Sequence, residues 1–527
     1  MVRAREFLIA AWTVGMVVLV SSAGGCGGNS NGLELGAGSS EDASAGAGGE
    51  GGASSGSASS GGGSSGGGGQ MFVSSGGDAA AACTGGGLQC YVPSGCTTTL
   101  SGTVYDPAGA NPLYNVVVFI PNDPNGALTP IKQGTNTCNT CDVSIGDYVT
   151  ATTSGPDGKF TLTGVPATTH VPLVVQIGKW RREVFLSQVK ACTNNAVPGS
   201  SLTRLPAKQS EGDIPQMALV TGGADNLGCF LKGVGLDPSE YSAPHAGGRL
   251  DIYQGLGGGR GGRGGGGGSG APGLSSGGTA GNCTSDNPAC VWNSKANLEA
   301  YDIVLLACEG DTYDPAESMN TNTNKTTSSK QALHDWLDEG GKVFATHFHY
   351  TWFKNGPADF QGVATWLGNS GGQDNALYTL DTSFFKGMVL SKWLGIVGAL
   401  SGSQINLTGV AESVSTVNAP TQRWIYNPAQ DPQQNMTNDT KYLSFLTPVG
   451  GIPIKTVDAG ETSAQYCGKA VFSDLHAGGS PMGNIPGVCA GPPLTAQLKA
   501  LEFLFFDLSA CVSIDSLPPP PPPQPTK

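Results

Sequence analysis

Three apolar runs constrain this chain more than any other feature in it. They are MALVTGG (217 to 223), YDIVLLACEG (301 to 310) and GGKVFATHFHYTWF (340 to 353). A strand with one wet face alternates in polarity, whereas a strand covered on both faces reads as a nearly continuous apolar stretch. RLDIYQG (249 to 255) and GKAVFSDLH (468 to 476) add two more strands. Helical patterns lie between them. A short helix runs through Leu227, Phe230 and Leu231, and Ala332, Leu333, Trp336 and Leu337 share one face of a helix capped by Ser328 or Ser329 and stopped by Gly340-Gly341. Leu494, Leu498, Leu501, Phe505 and Leu508 mark a last helix from Thr495 to about Ala510. Strands alternating with helices imply a parallel sheet with helices on both faces.

The half before residue 215 reads differently. Val116 to Ile120, Lys159 to Leu162 and Leu173 to Ile177 are short, rich in β-branched and aromatic residues, and bounded by turn signals. That pattern predicts a small antiparallel β-sandwich. Ahead of it, Arg3 and Arg5 precede an apolar run from Phe7 to Val20 and then small residues leading to Cys26. This is a targeting segment, and its apolar run is shorter than the roughly 20 residues a spanning helix needs. Ala23-Gly24-Gly25-Cys26 resembles the bacterial lipobox, which implies lipidation of Cys26 and attachment to a membrane. From Gly27 to about Ala82 the chain is mostly Gly, Ser and Ala, which cannot bury enough surface to offset chain entropy, so a disordered tether is expected. LPPPPPPQPTK at the end reads as an extended spacer.

With Cys26 set aside, 13 of the 14 cysteines remain, a number that suits disulfides in an oxidising compartment and leaves at least one thiol unpaired. Cys138-Asn139-Thr140-Cys141 has no second CxxC to complete a zinc site, so a loop disulfide is expected there. Cys283 and Cys290 could fix the exit of the glycine-rich loop, whose Arg260 and Arg263 do not amount to a nucleic-acid segment. The net charge of −13 argues against nucleic acid as a partner.

Two stretches resemble known families. LSGTVYD (100 to 106), Pro112-Leu113, GKFTL (158 to 162) and Val165-Pro166 look like the carboxypeptidase regulatory-like domain. That resemblance implies a transthyretin-like sandwich of the carbohydrate-binding-like class. It does not carry peptidase activity over, because none of the six histidines has a Glu three residues on and HExxH is absent. WLDEGGKVFATH, YCGKAVFSDLH and YDIVLLACEG resemble trehalose-utilisation (ThuA-like) proteins. Those have the class I glutamine amidotransferase-like fold, a flavodoxin-like three-layer arrangement. The resemblance places His347 where amidotransferases keep their nucleophilic cysteine, and an imidazole cannot form the thioester that hydrolyses glutamine.

The organisation that follows is a lipoprotein signal peptide (1–25), a Gly/Ser-rich tether with a Cys-containing end (26–96), a β-sandwich (97–190), a connector (191–214), an α/β domain (215–512) and a Pro-rich tail (513–527). The α/β domain carries a Gly-rich loop (255–281) and an insertion (370–465) that does not belong to its core. Open parallel sheets bind ligands outside the carboxyl ends of their strands. Cys308-Glu309-Gly310-Asp311, His347-Phe348-His349-Tyr350 and Ser473-Asp474-Leu475-His476 all fall there. His347, His476 and Asp474 are candidate acid/base residues, and His349, Tyr350, Glu309 and Asp311 candidate ligand contacts. His347 and His349 would share a side of a continued strand and could hold a metal with His476 and Asp474 or Glu309, but the turn expected after residue 347 separates the rings, so no metal or other cofactor is assigned. Tyr350, Trp352 and Phe353 could form a sugar platform or pack as core. Cys308 reads as a buried thiol or disulfide partner.

The function expected is that of an exported, membrane-anchored cell-envelope protein that binds a carbohydrate-like or other polar ligand without turning it over. A sugar-acting hydrolase or isomerase using the strand-end histidines, and an adhesion or envelope scaffold, are the alternatives.

Overall fold

The computed structural model describes residues 86–522, apart from 135–137, 139–144, 258–269, 319, 369–373, 428–438, 456–461 and 480–482. The leader, the lipobox at Cys26, the tether, Cys83, Cys141 and the middle of the Gly-rich loop lie outside the described residues.

Alternation along the apolar runs builds the larger body. In Met217–Thr221, Ile303–Leu306 and Lys342–Thr346 nearly every residue is buried, and successive residues enter different cores. Met217, Leu219, Ile303, Leu305 and Phe344 join one core with the helices Leu227–Val234 and Ala496–Ser509. Ala218, Val220, Val304, Leu306, Val343 and Ala345 join a second with the helix Thr327–Asp338. A strand whose side chains alternate between two apolar cores has no wet face, which is why its sequence does not alternate. The helix before Lys342–Thr346 ends where Gly340 takes φ 119°, and a Cβ on Gly341 would lie 2.3 Å from the Trp336 ring.

Five parallel strands lie in the order Leu250–Gln254, Met217–Thr221, Ile303–Leu306, Lys342–Thr346, Gly468–Ser473. The crossover reverses between Met217–Thr221 and Ile303–Leu306. Past Gly468–Ser473 the sheet turns antiparallel. Asp439–Thr447, Gln422–Asn427, Asp374–Leu380 and Gln404–Val410 continue it, giving a mixed sheet of twelve strands among the described residues. The insertion at 370–465 is therefore part of the core sheet, contrary to the sequence reading. All nine residues of Asp439–Thr447 are buried, including Lys441, whose ammonium pairs with Asp439 and donates to the Ala411 carbonyl at 2.8 Å.

The earlier segment forms two sheets. Tyr148–Thr153, Val117–Pro121, Thr169–Ile177 and Trp180–Gln188 are antiparallel neighbours, and Lys159–Thr163, Thr99–Thr103 and Asn194–Ala196 form the other, with its last pair parallel. Most of their buried apolar residues join the first of the two cores, and Phe119 and Val174 form a small cluster of their own with Ile145. Trp180, 1% exposed, meets Phe505 and Phe506 of the last helix edge-on at 6.4 and 6.0 Å.

Cross-links follow the same pattern. Cys138 pairs with Cys467 rather than with its CxxC neighbour, and Cys96–Cys192, Cys229–Cys489 and Cys283–Cys290 also form. The last of these closes the exit of the Gly-rich loop as the sequence suggested. Disulfides in this number indicate an oxidising compartment. The tail begins later than expected, because Asp515 is buried and pairs with Lys386 at 2.8 Å and Lys469 at 2.7 Å. No helix among the described residues is long and apolar enough to cross a membrane.

Candidate functional site

Four of the parallel strands deliver their carboxyl ends to one place. After Met217–Thr221 the backbone passes so close to the next strand that a Cβ on Gly222 would lie 2.0 Å from the Cys308 carbonyl oxygen. This approach brings in Asp225, which is buried and accepts from Asn226 N at 2.7 Å, Ala477 N at 2.6 Å and the Thr346 hydroxyl at 2.7 Å. Burial pushes its carboxyl upward, and His476 with these donors opposes that. Thr346 also accepts from Cys308 N at 2.9 Å, so one hydroxyl ties three strand ends together.

His347 follows without a loop. It takes φ 38°, a left-handed conformation rare outside glycine, and opens the helical turn His347–Tyr350. The turn points its ring across the strand ends. Nδ1 lies 3.5 Å from Cys308 Sγ and 3.2 Å from His476 Nε2. Cys308 is buried and is the free cysteine among the described residues. His476 donates from Nδ1 to the Gly409 carbonyl at 2.9 Å. The three side chains place one sulfur and two nitrogens within 4.8 Å of one another.

Burial, then the neighbouring His476, hold His347 well below the usual imidazole range. Burial also lowers His476, but Cys308 and Asp225 outweigh it and lift this ring to about 10. The pair is thus set as an imidazolium donor beside a neutral imidazole acceptor, an arrangement able to pass a proton at the strand ends. His476 also forms one wall of an open cleft of about 580 Å³, shared with Asn406, Thr408, Gly478-Gly479 and the start of the last helix, Thr495 to Leu498. Gln497 stiffens that wall by donating to the His476 carbonyl at 2.7 Å and accepting from Thr408 N at 2.9 Å.

Of the residues singled out in sequence, His347 and His476 come together and the others do not join them. Asp474 is buried and takes both the hydroxyl and the backbone N–H of Ser413 at 2.7 Å, fastening the insertion to the strand end. Asp225 is the carboxylate linked to His476 through the Ala477 amide. His349 turns into the core, donating from Nε2 to the Ala307 carbonyl at 3.0 Å and accepting from Trp352 Nε1 at 2.9 Å, which occupies both nitrogens. Glu309 is buried in an ion pair with Lys325 and accepts from Leu256 N at 2.6 Å. Tyr350, Trp352 and Phe353 are fully buried, so they form core and not a sugar platform; the Tyr350 hydroxyl donates to Glu317 at 2.9 Å. Asp311 is half-buried and held by Asn320.

Sequence reasoning passed over Cys308, Asp225, Asn406, Thr408 and Gln497 as site residues. For Cys308 the signal was present, in a strand end and an odd number of cysteines. Asn406 and Thr408 lie on a strand that only long-range pairing brings here.

No family model matches the chain, and no curated protein matches it in sequence. Among solved structures, a crystal structure from Bacteroides uniformis described as a ThuA-like protein aligns with 12% identity over 43% of this chain and 76% of that one, at a TM-score of 0.24. A superposition that loose adds nothing to the strand order, and the site stands on the geometry of Cys308, His347 and His476 alone.

Proposed function

We propose that this is an exported cell-envelope protein, tethered to a membrane through lipid at Cys26, that binds a carbohydrate-like or other polar ligand in the cleft beside His476 without transforming it. The cleft is the observation that carries this reading. Its wall offers the amide of Asn406, the hydroxyl of Thr408, the His476 ring and the backbone of Gly478-Gly479. Such a set of paired donors and acceptors suits a polyhydroxylated ligand. The finer fold reading belongs with it: a strand order of 2-1-3-4-5, numbered along the chain, is that of flavodoxin-like sheets, whose ligands sit at the point where the order reverses. A ThuA-like domain preceded by a transthyretin-like sandwich is consistent with that order and with the motifs quoted above.

Applying the full chain to a glycan array tests the reading. Capture should fall about tenfold in Asn406→Leu and in Thr408→Val, since each exposed side chain contributes about one hydrogen bond. Absence of any captured glycan would refute it. The strained turn at His347 and its 3.2 Å approach to His476 favour a second reading, acid/base turnover of a sugar. In that case product forms, and His347→Ala abolishes it.

A further inference from the structure

The cleft explains His476 but not why Cys308 and His347 crowd behind it. Cys90, Cys96, Cys138, Cys192, Cys229, Cys283, Cys290, Cys467, Cys489 and Cys511 are all disulfide-bonded, while Cys308 stays a thiol against two imidazole rings. We propose that Cys308 Sγ, His347 Nδ1 and His476 Nε2 are three ligands of a tetrahedral transition-metal site, zinc being the ion their chemistry fits best. Bonds of about 2.0 Å to nitrogen and about 2.3 Å to sulfur, at the tetrahedral angle, separate two nitrogens by about 3.3 Å and a nitrogen from a sulfur by about 3.5 Å. The observed separations are 3.2 Å between the two nitrogens and 3.5 Å between His347 Nδ1 and the sulfur.

The surroundings of the three ligands suit the assignment. His476 gives its other nitrogen to the Gly409 carbonyl at 2.9 Å, the usual way a ligating imidazole is oriented with its free lone pair toward the metal. Cys308 is pinned through its backbone to Thr346, which also holds Asp225. A doubly charged ion, one thiolate and the Asp225 carboxylate sum to zero charge, which lowers the cost of burying any of them. Binding releases the Cys308 proton and the proton on His476 Nε2 to solvent and leaves one tetrahedral position for water or a ligand oxygen. Coordination would also shield the thiol from the oxidation that paired the other cysteines. His349, the partner that sequence spacing offers, is excluded because both its nitrogens are occupied.

The inference does not rest on the ligand reading, although His476 serves both. The full chain, purified without a polyhistidine tag or chelator and dialysed against zinc, should retain about one zinc per molecule by elemental analysis. Cobalt in its place should give a thiolate charge-transfer band in the near ultraviolet and the intense visible absorption of a four-coordinate ion. Cys308→Ser should remove that band and weaken zinc binding by at least about tenfold. His347→Gln should weaken binding by a similar factor and keeps the test decisive if the buried Cys308 variant does not fold. Wild-type protein that takes up no metal, a cobalt complex without the thiolate band, or zinc affinity unchanged in His347→Gln would each overturn the site. Zinc bound without glycan capture removes only the ligand reading, and glycan capture by protein that cannot hold zinc removes only this one.

Discussion

Asp106 and Glu502 join the first sheets to the last helix, and their chemistry sets a measurable pH dependence. Both are buried, at 1% and 0% exposure. Asp106 Oδ1 accepts from Ala110 N at 2.7 Å and Glu502 Oε2 from Asn111 Nδ2 at 2.7 Å. The remaining oxygens, Asp106 Oδ2 and Glu502 Oε1, are buried without a donor and the two carboxyls act on each other, so a shared proton would satisfy both. Burial pushes Asp106 up to about 6 from an ordinary 3.8, and burial with the adjacent Asp106 raises Glu502. A carboxyl whose folded value is raised contributes stability that is fully present below its unfolded value and is lost as pH rises through the folded one. For Asp106 that loss between pH 4 and pH 7 is about 2 kcal/mol. Asp106→Asn keeps the shape, the acceptor for Ala110 and a donor toward Glu502, but carries no proton to lose. In guanidinium unfolding of the full chain with disulfides intact, the stability of the variant minus that of wild type should therefore rise by about 2 kcal/mol from pH 4 to pH 7. A difference that stays constant across this range would refute the shared proton.

Three further outcomes follow from packing and cross-linking. Trp180→Ala empties a site enclosed by Phe505 and Phe506 and should cost about 3–5 kcal/mol, read as a lowered midpoint in the same unfolding experiment. Cys138→Ser opens the bridge to Cys467, which spans 329 residues, and should destabilise by about 2–5 kcal/mol, checked by denaturation with the other disulfides confirmed by mass spectrometry. Gly222→Ala should displace the Cys308 strand end, because the new methyl meets its carbonyl at 2.0 Å; the accessibility of the Cys308 thiol to alkylation reports the shift.

The parallel half of the sheet was legible because burial on both faces leaves a local mark, an apolar run such as Ile303 to Leu306. The antiparallel half was not. Asp439–Thr447 is as deeply buried, but Asp439, Thr440, Lys441 and Ser444 interrupt its apolar run, and the pairing of Lys441 with Asp439 that lets both charges be buried leaves no apolar mark in the sequence. At the site, His347 was legible as the residue at the turn, and the same turn removes His349. Period-two reasoning puts both rings on one side only while the strand continues, and at φ 38° it ends. The CxxC misled for a related reason, since Cys138 bonds across the fold to Cys467 and local spacing holds no trace of that contact.

The seating of Trp180 on Phe505 and Phe506 also sets a timetable. A ribosome makes Trp180 hundreds of residues before it makes the helix that covers it. Through that interval the early sheets expose an aromatic edge with nothing of their own to hide it. The nascent chain cannot finish its first half before its last, so a stop codon anywhere upstream of Ala496 leaves that edge bare, a species that quality control would meet as aggregation-prone.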